Sequence, residues 1–309
     1  MSAEHVGIVW NPSKTGREDL EAAIPREARV SWFETSEQDP GHAATAAALD
    51  AGVDLVLAAG GDGTVRAVAQ HLAETNAKVE LGIIPLGTGN LLARNLGVPL
   101  NDLAAAFARA LDGTARPIDI GWAEVGLQGG VERYAFAVMA GFGIDAHMIT
   151  ETNDDLKDKA GWVAYVESLG RALSASEVID IRIAADGDQT TEETAHTVIV
   201  GNCGTLQGGL NLLPDADPTD GELDLLILNA EGIAGWADTL RNFAWHNGIK
   251  RLMTPGDDAA ESSESTTHRR VTTLTIELDE PRVFEVDGDD LGETTRIGIS
   301  IQPGAVRIR

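Results

Sequence analysis

Two glycine-rich stretches carry the strongest chemical signal in the chain. Gly60-Gly61-Asp62-Gly63-Thr64 follows the apolar run Val53 to Ala59, and Pro85-Leu86-Gly87-Thr88-Gly89-Asn90 follows Leu81 to Ile84. Glycine lets backbone N–H groups approach phosphate oxygens with no Cβ in the way. Each loop adds a threonine hydroxyl, and the helix after each points its partial positive end at the anion. Two such loops at two strand ends predict one phosphate-handling site. The Asp62 carboxylate repels phosphate unless a metal, a metal-bound water or a basic group stands beside it. The pattern therefore points to a magnesium nucleotide rather than a bare phosphate. Neither loop is a Walker A sequence, and Arg66 stands where the third glycine of a dinucleotide fingerprint belongs.

Other segments offer chemistry with plainer alternatives. Asn11-Pro12-Ser13-Lys14-Thr15-Gly16 ends the first apolar run and brings donors and one cation to a parallel-strand end. Read plainly, it is a Pro-Gly turn with a solvated lysine. Leu213 to Glu222 holds Asp215, Asp217, Asp220 and Glu222 in one turn-rich loop. Their mutual repulsion calls for a cation or solvent, and oxygen-only ligands suit Mg²⁺ or Ca²⁺; the alternative is an Asx turn without metal. Asp287, between a strand and Gly288, is expected at an exposed hairpin turn. The histidines show no ligand spacing, so none is assigned to zinc. Cys203 is expected to be buried.

Gly60 to Thr64, Pro85 to Asn90, Leu213-Pro214-Asp215-Ala216 with Asp220-Gly221, and Val286-Asp287-Gly288 occur in that order. In these the chain resembles the diacylglycerol kinase catalytic family, in particular its soluble bacterial lipid kinases related to sphingosine kinases. The resemblance runs from Val6 to near Arg309; its first motif alone is shared with NAD kinases and phosphofructokinases. It implies an ATP- and Mg²⁺-dependent kinase acting on a lipid hydroxyl, with diacylglycerol or a similar lipid as acceptor. It implies ATP contacts at Asn11, Pro12, Ser13, Lys14 and Thr15, at Thr35, at Gly60, Gly61, Asp62, Gly63 and Thr64, and at Gly87, Thr88, Gly89 and Asn90. Read alone, Thr35 is equally a turn cap and Asn90 a helix cap. Further implications are a metal site at the Asp220 side chain with backbone oxygens of Asp217 and Glu222, and a general base at Asp287. Asp62 would help to place Mg²⁺. The chain departs from many relatives at Leu91, where they carry an acidic residue, and at Arg66-Ala67, where they often carry Asn-Glu. It also has Asp289 where an Asp-Gly-Glu sequence is usual, so Asp289 is the second candidate for the base. Arg66 then either contacts phosphate or lies on a solvated helix face.

The elements that must position these residues change character near Gly113. Before it, apolar strands at Val6 to Trp10, Ala28 to Phe33, Val53 to Ala59 and Leu81 to Ile84 alternate with helices. That rhythm predicts an α/β domain with a parallel sheet and ligands at the strand C-terminal ends. After it come strands without intervening helices: 118–125, 134–139, 179–184, 197–201, 223–228, 271–278, 283–286 and 297–301. They predict a mostly antiparallel β domain. The expected division is 1–115 for the nucleotide domain, 116–300 for a lipid and metal domain, and 301–309 as a strand returning to the first. Two amphipathic helices are expected near 155–173, lining an acyl-chain pocket by resemblance, and near 233–252. An acidic Ser/Thr-rich loop is expected at 254–267.

The net charge is −26, which argues against nucleic acid and against broad docking on anionic lipid. The single cysteine excludes an internal disulfide and suits a reducing cytosol. No apolar run reaches the roughly 18 residues that span a bilayer. A cytoplasmic protein is expected, meeting its lipid by transient, peripheral contact with a membrane surface; a homodimer is left open. Two alternatives compete: a kinase of another acceptor such as NAD, and a non-catalytic lipid- or nucleotide-binding regulator, which Leu91 and Asp289 keep in play.

Overall fold

The computed structural model describes residues 5–24, 28–143, 178–207, 211–229 and 266–309. The stretches expected as helices at 155–173 and 233–252, and most of the loop at 254–267, lie outside the described residues.

The first four apolar runs form strands β1 (His5–Trp10), β2 (Arg29–Glu34), β3 (Leu55–Gly60) and β4 (Glu80–Pro85). They pair in parallel in the order β4-β3-β1-β2. Parallel neighbours need crossovers, supplied by α1 (Arg17–Ala23), α2 (His42–Asp50) and α3 (Asp62–Glu74). All of β3 is buried, as expected of a strand covered on both faces. Two further helices, α4 (Leu91–Asn95) and α5 (Leu103–Asp112), close this half, and Asp102 caps α5 by accepting from Ala105 N at 3.0 Å.

The remaining described strands are β5 (Arg116–Leu127), β6 (Gly130–Phe136), β7 (Met139–Phe142), β8 (Ile179–Ala185), β9 (Thr191–Ala195), β10 (Thr197–Gly201), β11 (Leu223–Leu228), β12 (Thr266–Val271), β13 (Thr273–Val286) and β14 (Asp289–Ile308). They pair with one another antiparallel. The chain is thus an N-terminal α/β unit with a parallel sheet followed by a mostly antiparallel β unit, as its periodicity predicts. β14 joins the two. It lies antiparallel to β13 and β5, and at its end Ile308 stands parallel to Leu81 of β4. Arg309 N donates to Leu81 O at 3.0 Å and Arg309 Nε pairs with Glu80 at 2.6 Å. One core fills the parallel half, reaching Phe107 and Trp122, and a second, around Phe136 and Phe284, fills the antiparallel half.

Strand boundaries differ from expectation in four places. The single strand expected at 134–139 is two, β6 and β7, broken at Ala137 and Val138. The polar strand β9 was not expected, because Thr191–Ala195 has little apolar alternation. The runs at 271–278 and 283–286 fall into β12 and one bent strand β13, whose register shifts between Glu277 and Arg282; the run at 297–301 and the returning strand at 301–309 fall mostly within β14, irregular between Gln302 and Val306. Pro281 and Pro303 interrupt the apolar runs, yet a bulge lets a strand pass a residue that cannot donate to the ladder.

Candidate active site

β3 delivers the first glycine loop into α3, and its neighbour β4 delivers the second into α4. The loops touch. Leu86 N donates to Gly60 O at 2.8 Å. A Cβ on Gly87 would stand 2.7 Å from Gly61 Cα, closer than carbon atoms pack. Thr64 is buried with its side chain against the Gly60 backbone, in the space a Cβ there would need. Gly61 occupies the cap position of α3 and offers no side chain, so the N–H groups of Gly63 and Thr64 lie outside the helical ladder.

Asp62 does not stand alone among these amides. Its Oδ2 accepts from Asn90 N at 2.8 Å and its Oδ1 from Leu91 N at 2.6 Å. The carboxylate therefore ties the first loop to the start of α4, a partner the sequence reading did not weigh because it lies 28 residues on. Burial raises the Asp62 pKa above its ordinary value, those N–H groups oppose the rise, and nearby Asp289 adds to it. Asn90 holds the cap position of α4 in a left-handed conformation, φ 48°, but its side chain does not cap the helix. Instead Oδ1 accepts from Gly87 N at 2.9 Å and Nδ2 donates to Gly87 O at 2.6 Å, closing the second loop on itself. Thr88 is exposed at its tip, beside Gly89.

β1 and β2 bring two more segments to the same end of the sheet. Asn11 N donates to Ala59 O at 3.0 Å, and Asn11 Oδ1 accepts from the Ser13 N–H and hydroxyl, forming an Asx turn. Pro12, Ser13 and Lys14 are exposed. Lys14 Cε comes within 3.9 Å of the point a Cβ on Gly61 would occupy, so this cation lies over the first glycine loop. Thr15 O accepts from Trp10 Nε1 at 3.1 Å. Thr35 is buried; its N–H donates to Trp10 O at 2.9 Å, and its hydroxyl has no partner among the described residues.

The antiparallel half supplies the facing wall. Asp287 sits between β13 and β14 with φ 47°, but the turn is not exposed as expected: the residue is only 8% accessible. Its Oδ2 accepts from Ala137 N at 2.8 Å, and its Oδ1 from Val138 N at 2.9 Å and Met139 N at 3.0 Å. Burial pushes its carboxyl up to about 6, while these bonds and Arg66 pull the other way. Asp289 is half exposed and forms an ion pair with Arg66 of α3. Arg66 is mostly buried rather than solvated, and its Nε–H has no partner among the described residues.

The acidic loop is braced by bonds of its own. Asp217 Oδ1 accepts from the Thr219 N–H and hydroxyl, Asp220 Oδ1 from Glu222 N at 2.9 Å, and Glu222 lies 3.4 Å from Arg270. Two residues absent from the sequence reading anchor it. Asp119, 2% exposed, accepts from Gly221 N at 2.7 Å and from Gly304 N at 2.6 Å, and its own N–H donates to Pro218 O. Asn202 Nδ2 donates to Asp119 O and to Ala137 O, linking the loop to the corner that holds Asp287. The available signal was a lone carboxylate inside the apolar run Ile118 to Ile120, since a charge in such a place must be paired.

Comparisons with known proteins decide the family. Residues 9–123 match the family model described as the diacylglycerol kinase catalytic domain, and residues 138–309 the YegS C-terminal NAD kinase beta sandwich-like domain. A Pseudomonas aeruginosa protein named "Probable lipid kinase YegS-like" is 33% identical over 100% of this chain and 95% of its own length. The chain belongs to the diacylglycerol kinase family of lipid kinases. A Bacillus subtilis diacylglycerol kinase is 33% identical over 74% of each chain. The crystal structure of a Bacillus anthracis diacylglycerol kinase shares the fold, with TM-score 0.67 at 24% identity over 100% of this chain and 97% of that one. This lipid kinase therefore carries both glycine loops within its catalytic-domain match and Asp287 within its sandwich match.

Asp119 generates a stability prediction. Asp119→Ala leaves the part-buried N–H groups of Gly221 and Gly304 without their acceptor and should cost about 1–3 kcal/mol; Asp119→Asn, keeping one acceptor oxygen, should cost less. Chemical denaturation of the parent and both variants checks the order, and an alanine variant as stable as the parent refutes the anchoring role.

Proposed function

We propose that this lipid kinase transfers the γ-phosphoryl group of ATP to the hydroxyl of diacylglycerol or a closely similar lipid. The observation that carries the reading is the Arg66–Asp289 ion pair, which sets the β13–β14 turn against the first turn of α3 and its glycine loop. The names of the relatives supply the lipid acceptor. The N–H groups of Gly61, Gly63 and Thr64 and the loop Gly87, Thr88 and Gly89 bind the phosphates. Asn11 to Thr15 and Thr35 hold the nucleotide beyond them. The Arg66 Nε–H and Thr35 hydroxyl, without partners among the described residues, fit that assignment, because buried polar groups generally find partners. Asp62 and Asp289 form an all-oxygen donor set suited to Mg²⁺, and the Asp62 carboxylate keeps lone-pair capacity beyond its bonds to Asn90 N and Leu91 N. When bound, Mg²⁺ supplies neutralisation of phosphate charge.

Asp287 takes the proton of the lipid hydroxyl. Its raised pKa, about 6, suits a base working near neutral pH. Three amides fix its orientation and leave one of roughly four lone-pair sites for the hydroxyl. One observation favours the reverse assignment, with Asp289 as base: Asp289 is the more accessible of the two. The nucleotide domain comprises 1–115 and the lipid and metal domain 116–300, and the pairing of Ile308 with Leu81 supports 301–309 as the returning strand. No helix among the described residues is long and apolar enough to cross a membrane; we assign the enzyme to the cytoplasm, with peripheral contact at a lipid surface.

Labelled ATP incubated with the enzyme and a total lipid extract tests the reaction. Label should enter a phospholipid such as phosphatidic acid; label in NAD, or in no acceptor, overturns the proposal.

Asp287→Asn should lower turnover about 10²- to 10⁴-fold with little change in ATP affinity. The base works ionised, so the parent's kcat should fall as pH drops through about 6. If only Asp289→Asn removes turnover, the two roles are exchanged.

The Asp220 loop is proposed to hold a second Mg²⁺ or Ca²⁺ through the Asp220 side chain and the backbone oxygens of Asp217 and Glu222. Either ion should raise the melting temperature of the parent, since binding to the folded state stabilises it. Asp220→Ala should abolish that shift; an unchanged shift locates the ion elsewhere.

A further inference from the structure

We propose that His42, His71 and Glu74 bind one divalent transition-metal ion of the zinc class, clamping the start of α2 to the last turn of α3. Sequence spacing hides this group, because His42 comes from a different helix. His71 and Glu74 are three residues apart on α3 and so share a face. The chain enters α2 pressed against α3: a Cβ on Gly41 would stand 3.4 Å from Ala67 Cβ and 3.5 Å from Val68 Cγ2. The two imidazoles lie edge to face, with centroids 6.4 Å apart and planes at 67°. One ligand atom from each of the three residues lies within 4.8 Å of the others.

Bonds to zinc of about 2.0–2.2 Å place tetrahedral ligand atoms about 3.4 Å apart. Closing from 4.8 Å needs small side-chain rotations, which two partly exposed imidazoles and an exposed carboxylate can make. Two nitrogens and one oxygen suit zinc and its transition-metal neighbours. Mg²⁺ and Ca²⁺ prefer oxygen alone, so the group is chemically distinct from the nucleotide site and from the acidic loop. The ligands are also oriented. Asp39 accepts from the N–H groups of Gly41, His42 and Ala43 at 2.7–2.9 Å, fixing the backbone beneath His42. Gln70 Nε2 donates to Glu74 Oε1 at 2.9 Å, turning that carboxylate while Oε2 remains for the ion. Such supporting bonds set ligand direction. Three protein ligands at a partly exposed position leave a fourth place for water, so the ion is exchangeable. Because α3 starts in the first glycine loop and carries Arg66, an ion at its far end stiffens the helix that presents both.

Co²⁺ titration of the metal-free, full-length chain tests this, since its visible d–d absorption separates four-coordinate nitrogen and oxygen ligation from weakly absorbing octahedral oxygen ligation. A strong band should saturate at one ion per chain, yield to Zn²⁺ and resist Mg²⁺. His42→Asn and His71→Asn should each abolish it, in variants whose circular dichroism matches the parent. Glu74→Gln, at an exposed site with no folding risk, should weaken binding about tenfold or more, the loss that even a supporting partner causes. The proposal fails if the parent shows no saturable strong band, if the band survives either histidine substitution, or if Glu74→Gln leaves the affinity unchanged.

Discussion

Three consecutive backbone N–H groups, on Ala137, Val138 and Met139, converge on the single buried carboxylate of Asp287. Each would cost about 1–3 kcal/mol if buried without a partner. The corner between β6 and β7 is therefore tolerable only with an acceptor inside it, and the β13–β14 turn supplies one. The dependence runs both ways. Asp287 holds a left-handed conformation that a residue with a Cβ adopts at some cost, and its own N–H donates to Met139 O at 2.8 Å. Asn202 and Cys203 add N–H bonds to Val138 O from a third direction. Removing the carboxylate would free the corner and the turn together.

That lock matters because of where the turn points. Two residues beyond Asp287, Asp289 reaches Arg66, the fifth residue of α3. Behind it, β14 runs on between the halves until Ile308 meets Leu81 of the parallel sheet. One hairpin thus has its turn against the glycine loop and its end hydrogen-bonded to the strand that leads into the other loop. The Asp62 bonds to Asn90 N and Leu91 N join the two loops from their own side. A shift of the antiparallel half would be felt at both loops.

Much of this was legible in the sequence where the signal is local. The parallel half follows from short apolar runs alternating with helical segments, and the glycine loops from composition alone. The loop contact explains the glycine at 87, where a Cβ would stand 2.7 Å from Gly61 Cα; at Gly61 a Cβ would be crowded, 3.3 Å from Gly87 Cα. What stayed hidden depends on residues distant in the chain. Asp287 looked like an exposed hairpin turn because nothing near it names Ala137 to Met139 as partners. Arg66 carried two readings because Asp289 lies 223 positions away. Asp119 went unremarked although a carboxylate inside an apolar strand demands donors. The bent strands β13 and β14 read as separate pieces because proline interrupts the apolar pattern without ending the strand.

The charge of the site makes its own demand on the substrate. Asp287 and Asp289 gather near the Arg66 guanidinium and Asp62 lies close enough to feel Asp289; burial raises the pKa of both Asp62 and Asp287, Asp289 adds to the rise at Asp62, and Arg66 opposes it at Asp287. Lys14 is exposed, so solvent screens much of what it offsets. A polyphosphate would enter a cleft already poor in positive charge, on a chain of net charge −26. The open amides at the start of α3 contribute a partial charge of only about half a unit. Phosphate binding there is favourable only if cations arrive with it, which is the physical reason to expect a metal-bound nucleotide rather than free phosphate at these loops. The same shortage gives the Arg66–Asp289 pair its weight: the mostly buried Arg66 joins α3 to the β13–β14 turn, while the guanidinium of Arg94 donates to Gly89 O in the second glycine loop.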